Sequence, residues 1–232
     1  MYGFDPLYLA ILGISMLASW LVSNTLQRKF AKYSRVGLNV TGREVAEQML
    51  RDAGIQDVEV TAVRGQLTDH YNPLKKTVNL SEPVYGSNTL AAAAVAAHEC
   101  GHAVQHATAY SALRMRSALV PIVNLSTQLS QWVIMGGLVI MAMSQGKHAW
   151  VFLIGIVLFA MTTLFSVITL PVEFDASKRA LVWLERSGIA QGQLQAGARD
   201  ALKWAAMTYV VAALASLGQL LYWILLFMRS RR

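Results

Sequence analysis

Residues 149–172 read AWVFLIGIVLFAMTTLFSVITLPV and contain no Asp, Glu, Lys or Arg. A helix needs about 20 apolar residues to cross a bilayer's hydrocarbon core. This stretch is long enough, and so are 6–27, 117–146 and 204–228, which also lack those four residue types. In lipid only helices and closed barrels satisfy their own backbone, so the pattern predicts four transmembrane helices.

Composition agrees. The chain of 232 residues is 55% hydrophobic and 14% charged, with a mean hydropathy of +0.41. A soluble globule carries about 25% charged residues, so an ordinary soluble domain and a disordered chain are both excluded. The lone Cys100 cannot form an internal disulfide. The formal charge is +7, and in a membrane chain such an excess marks the cytoplasmic loops. Four spans put 28–116 and 178–203 on one side, with 16 of the 20 Lys and Arg. Lys147 and the tail residues Arg229, Arg231 and Arg232 fall on the other. The expectation is a multi-pass protein of the cytoplasmic (inner) membrane with its large loops in the cytoplasm, the basic tail dissenting. This topology accounts for most of the basic excess, so nucleic acid is not an expected partner. The first span lacks a basic leader and is followed by Arg28, Lys29, Lys32 and Arg35, the pattern of an uncleaved anchor. The second has a polar first half, with Asn124, Ser126, Thr127, Gln128, Ser130 and Gln131. That half either packs inside a bundle or lines a wet wall.

Segment 28–116 holds most of the remaining sequence. Residues 41–53 suit an amphipathic helix capped by Thr41 with Glu44 three positions on and stopped by Gly54. Stretches 58–63 and 76–80 alternate like strands, and Asn72-Pro73 marks a turn between them. The second of these stretches could be an edge strand that pairs with an extended substrate. Next comes a helix over 89–110, TLAAAAVAAHECGHAVQHATAY, with Ser87 or Asn88 as cap. Its apolar part is too short to span, and its alanines favour close burial against other helices.

This helix carries His98-Glu99-Cys100-Gly101-His102, the pattern HExxH. Residues four apart on a helix lie about 40° apart around the axis and one turn apart along it. Both imidazoles can therefore reach one zinc ion, with Glu99 placed as general base beside the water position. The competing reading is a pair of satisfied core histidines. Cys100 turns away from His98 and reads as packing.

A catalytic zinc site has three protein ligands. His106 lies about 12 Å along the axis from His98 and reads as a supporting residue. Glu173 follows the third span on the expected side, sharing a helical face with Ala176, Ser177 and Ala180. Those small residues permit close approach to the alanine-rich helix. Asp175 is the rival, about 200° away around the helix. The expected division is 1–27 first span, 28–116 peptidase region, 117–146 second span, 149–172 third span, 173–203 the helix with the third ligand, 204–228 fourth span and 229–232 tail.

The run DHYNPLKKTVNLSEPVY, the block HECGHAVQ and the block EFDAS resemble the YugP-like neutral zinc metallopeptidases of bacterial membranes, over nearly the whole chain. More distantly the chain is similar to the HtpX-like and CAAX prenyl proteases, whose third ligand is the Glu of an ExxAD motif. The resemblance implies Glu173 as that ligand and puts Ser177 where the distant motif has its Asp. It also implies a mainly α integral membrane protein with a gluzincin-like α/β element on one side. Such a protein would be a metalloendopeptidase binding one zinc per chain, with polypeptide substrates that include membrane-protein segments. In the DHYNP block His70, beside Asp69, is a candidate oxyanion donor. Arg179 is a candidate for a substrate carboxylate or lipid phosphates. The rival to an enzyme is a zinc-binding scaffold or pseudoprotease. A transporter is disfavoured because spans one, three and four hold no ionisable group in their apolar cores. A protease cutting within lipid is disfavoured because no spanning run flanks HExxH.

Overall fold

The computed structural model describes residues 5–230. The ends of the expected first span and basic tail, residues 1–4 and 231–232, lie outside the described residues. In chain order the elements are α1 (Pro6–Tyr33), α2 (Gly42–Asp52), β1 (Glu59–Val63), β2 (His70–Asn72), β3 (Thr77–Ser81) and α3 (Glu82–Tyr85). They are followed by α4 (Leu90–Ala107), α5 (Ser111–Met143), α6 (Ala149–Arg186) and α7 (Gln193–Ser230). Helices α1, α5, α6 and α7 are long and apolar enough to cross a membrane. The chain is thus a mainly helical membrane protein with one small sheet.

Two compact units divide the chain. One gathers the described parts of Met1–Leu21, Met115–Leu170 and Tyr209–Arg232. Its core is Ile134, Phe152, Ile156, Tyr222 and Trp223. Many other apolar side chains here, among them Ile14, Leu17, Trp132 and Leu221, are exposed, as lipid-facing residues must be. Helices α5 and α6 pack backbone to backbone, since a Cβ on Gly137 would stand 2.5 Å from the Phe152 Cα. Small residues give membrane helices this proximity. On α5 only Ser126 and Ser130 of the polar half are buried, beside Val123, Ile134 and Gly137. Asn124, Thr127, Gln128 and Gln131 are exposed, so only two residues of the polar half pack inside the bundle.

The other unit gathers Val22–Arg114 and Pro171–Thr208. Helix α2 forms as its sequence dictates. The Thr41 Oγ1 accepts from the Glu44 N–H, and the Glu44 carboxylate accepts from the Thr41 N–H, a reciprocal capping box. Gly54 follows at φ +70°, a left-handed conformation that glycine enters without strain. Val45, Ala46, Met49 and Leu50 form the buried face. Helix α4 is capped by Thr89, whose Oγ1 accepts from the Ala92 N–H at 3.3 Å, one residue after the expected Asn88. Ala91–Ala94, Ala96 and Ala97 are all buried on it.

The sheet has the order β1-β3-β2, with β1 parallel and β2 antiparallel to β3. This corrects one expectation. The strand at 76–80 is central, flanked on both sides, so it cannot be the edge that takes a substrate. The edges are β1 and β2, and β2 ends at the Asn72 of the expected turn. The turn itself begins at Asn72, whose Oδ1 accepts from the Leu74 and Lys75 N–H groups.

Helix α6 also departs from the expected division. It runs unbroken through Pro171 to Arg186, and α7 begins at Gln193. No separate helix occupies 173–203, and Glu173 sits on the continuation of the third apolar helix. Proline removes one backbone donor, a loss that membrane helices accommodate.

Candidate metal centre

His98 and His102 project from the same face of α4, and Glu173 comes from α6 to meet them. Approach is possible because Gly101 lacks a side chain: a Cβ there would lie 2.6 Å from the Ala176 carbonyl oxygen. Ala176 and Ala180 are fully buried on the facing helix. The Glu173 Oε2 stands 3.3 Å from the His98 Nε2 and 3.7 Å from the His102 Nε2. One ligand atom from each of the three residues lies within 4.8 Å of the other two. Zinc bonds of about 2.0–2.1 Å in a tetrahedron put donors roughly 3.3–3.5 Å apart, so the spacing suits that ion.

The donor set contains one unpaired buried oxygen. Glu173 is 3% exposed, and its Oε2 has no hydrogen-bond partner. Burying an unpaired carboxylate oxygen is costly. The adjacent ring nitrogens stand near without satisfying it, and a divalent cation bound by all three groups would. Burial opposes the charged form of the His102 imidazole, but Glu173 and Glu99 outweigh it and hold its pKa above the ordinary value. The site therefore attracts positive charge.

Each imidazole is oriented from behind. The His98 Nδ1 lies 3.1 Å from the Ser177 Oγ, and the His102 Nδ1 lies 3.0 Å from the Gln105 Oε1. Gln105 is fully buried. Its Nε2 donates to the Val172 carbonyl at 2.8 Å and to the Asp175 Oδ2 at 2.9 Å. With its amide nitrogen committed, Gln105 presents oxygen to His102. The His102 Nδ1–H donates to it, leaving the Nε2 lone pair free for metal. Asp175 also accepts from the Arg179 Nε at 2.6 Å, and that guanidinium lies over the Tyr110 ring. Such supporting groups tune metal affinity 10- to 100-fold. Gln105→Leu is expected to weaken zinc binding by about that factor with the helical circular dichroism unchanged. A chelator-competition titration measures it.

Glu99 is 9% exposed, and its Oε2 accepts from the Tyr71 N–H of β2 at 3.0 Å. The Tyr71 hydroxyl lies 2.8 Å from the His106 Nδ1. His106 thus takes a supporting place outside the three-residue ligand group. His70 is exposed, with its Nδ1 2.8 Å from the Thr68 carbonyl oxygen, and it is not part of the group. Arg179 donates through Nε to Asp175, and its guanidinium lies over the Tyr110 ring. Cys100 is fully buried with its Sγ 3.6 Å from the Ala46 carbonyl oxygen, and burial pushes its thiol pKa up. Sequence reasoning passed over Tyr71 and Gln105. Gln105 carried a signal, since it lies three residues past His102 on the same helical face. Tyr71 carried none, because its contact with Glu99 is through backbone.

No solved structure matches the chain. The "Putative membrane protease YugP" of Bacillus subtilis (strain 168) is 39% identical over 227 residues, which are 97% of this chain and 96% of that relative. The family model described as "Putative neutral zinc metallopeptidase" matches residues 8–228. With nearly its full length matched, the chain belongs to that zinc metallopeptidase family.

Proposed function

We propose that the chain is a membrane-bound, gluzincin-type metalloendopeptidase that holds one zinc ion through His98, His102 and Glu173. The observation that carries this is the buried, unpartnered Glu173 Oε2 facing two imidazole nitrogens. A bound zinc supplies Lewis-acid activation of a water and of a peptide carbonyl. Glu99 takes the proton from the attacking water and returns it to the departing amine nitrogen. Tyr71 fixes the Glu99 carboxylate in place through its backbone N–H. Ser177 and Gln105 hold the two imidazoles in the tautomer that offers Nε2.

The substrate is an extended polypeptide. Because the Tyr71 N–H is turned to Glu99, the unpaired side of β2 faces the base. A chain laid along that edge brings a peptide carbonyl beside Glu99. The distribution of Lys and Arg supports a cytoplasmic catalytic side. The printed name of the Bacillus relative and the family description support proteolysis as the activity.

The test is metal removal from the full-length protein in detergent. Hydrolysis of a quenched fluorescent casein is expected to vanish after chelation and to return with one equivalent of zinc. Zinc binding without any cleavage would instead support the scaffold reading.

A further inference from the structure

Helices α6 and α7 flank a second feature, whose lining includes Ser177, the residue behind His98. It is a groove of about 410 Å³ lined by Phe174, Lys178 and Val182 of α6 and by Arg199, Lys203 and Ala206 of α7, with Glu185 as its acid. Lys178, Arg199 and Lys203 are exposed. Among the described residues none of the three forms an ion pair. Three open cations against one carboxylate leave the groove positive.

Its level along the helices is informative. The uncharged run of α6 ends at Val172 and that of α7 begins at Trp204. At 1.5 Å per residue, Lys178 lies about 9 Å beyond the first limit, and Arg199 and Lys203 lie about 7.5 Å and about 1.5 Å beyond the second. These levels span the lipid headgroup layer, roughly 5–7 Å thick on each side, and its outer margin. The polarity is also graded. Phe174 and Ala206 occupy the end nearer the apolar runs, with Lys203 level with them, Lys178 and Arg199 farther out, and Val182 and Glu185 farther still. Basic pockets between membrane helices suit anionic headgroups.

We propose that this groove holds the headgroup phosphate of an anionic phospholipid between Lys178, Arg199 and Lys203, with the acyl chains descending past Phe174 and Ala206. Charge complementarity and the polar-to-apolar gradient select an amphiphile over a free anion. The site does not depend on the peptidase reading.

The test uses the full chain in phosphatidylcholine bilayers with spin-labelled phosphatidylglycerol or phosphatidylcholine as probe. The motionally restricted fraction gives the relative association. Phosphatidylglycerol is expected to be preferred, and the preference to fall roughly fivefold per cation on Lys178→Gln, Arg199→Gln and Lys203→Gln. Arg186→Gln, outside the groove lining, is expected to leave it unchanged. Glu185→Gln is expected to raise it, which tests the groove without removing any cation. An equal preference in wild type and the triple variant would overturn the proposal, as would no change in Glu185→Gln. So would binding of inorganic phosphate or an acidic peptide that depends on the three cations while phosphatidylglycerol shows no preference.

Discussion

Glu99→Gln is expected to lower peptide hydrolysis by about 10²- to 10⁴-fold while zinc content stays at the wild-type level. The substitution is nearly isosteric. The Gln oxygen can still accept from the Tyr71 N–H, now 3.0 Å from the Glu99 Oε2, so β2 keeps its place. What disappears is a group able to take and return a proton. Activity assays and metal analysis on the same preparation measure both halves. Wild-type cleavage by the variant would remove Glu99 from the mechanism. Loss of zinc together with activity would show that its role is in holding the site.

Gly101→Val is expected to abolish metal binding without touching any ligand. Even a methyl group at this position falls 2.6 Å from a backbone oxygen and 3.1 Å from the Ala176 Cα. Backbone cannot rotate aside as a side-chain tip can, so α4 and α6 must part. Overpacking of this kind costs about 1–3 kcal/mol. A shift of even 1 Å moves Glu173 out of reach of both imidazoles. Gly86→Ala, where an added Cβ meets nothing within 4 Å, is the matched control and should keep full zinc occupancy. Calorimetric zinc titration of the two variants separates the outcomes.

The parts legible in sequence are those set by local rules. The Thr41–Glu44 box, the HExxH spacing and the four apolar runs each follow from helix or bilayer geometry alone. Glu173 was reachable because small residues share its face. Other features escaped because composition does not report them. Charge returns at Glu173, and this suggested a new helix, but hydrogen bonding carries α6 through Pro171 regardless. Strand β2 is only three residues long and is defined by its partner. Its rank at the edge depends on strand order, which no local pattern encodes.

Zinc stoichiometry of the purified wild-type protein beside Glu173→Ala tests the metal centre most directly. One zinc per wild-type chain, and a variant that fails to retain it under the same dialysis, is the expected result. A Glu173→Ala protein that keeps a full equivalent would contradict the centre assigned to His98, His102 and Glu173.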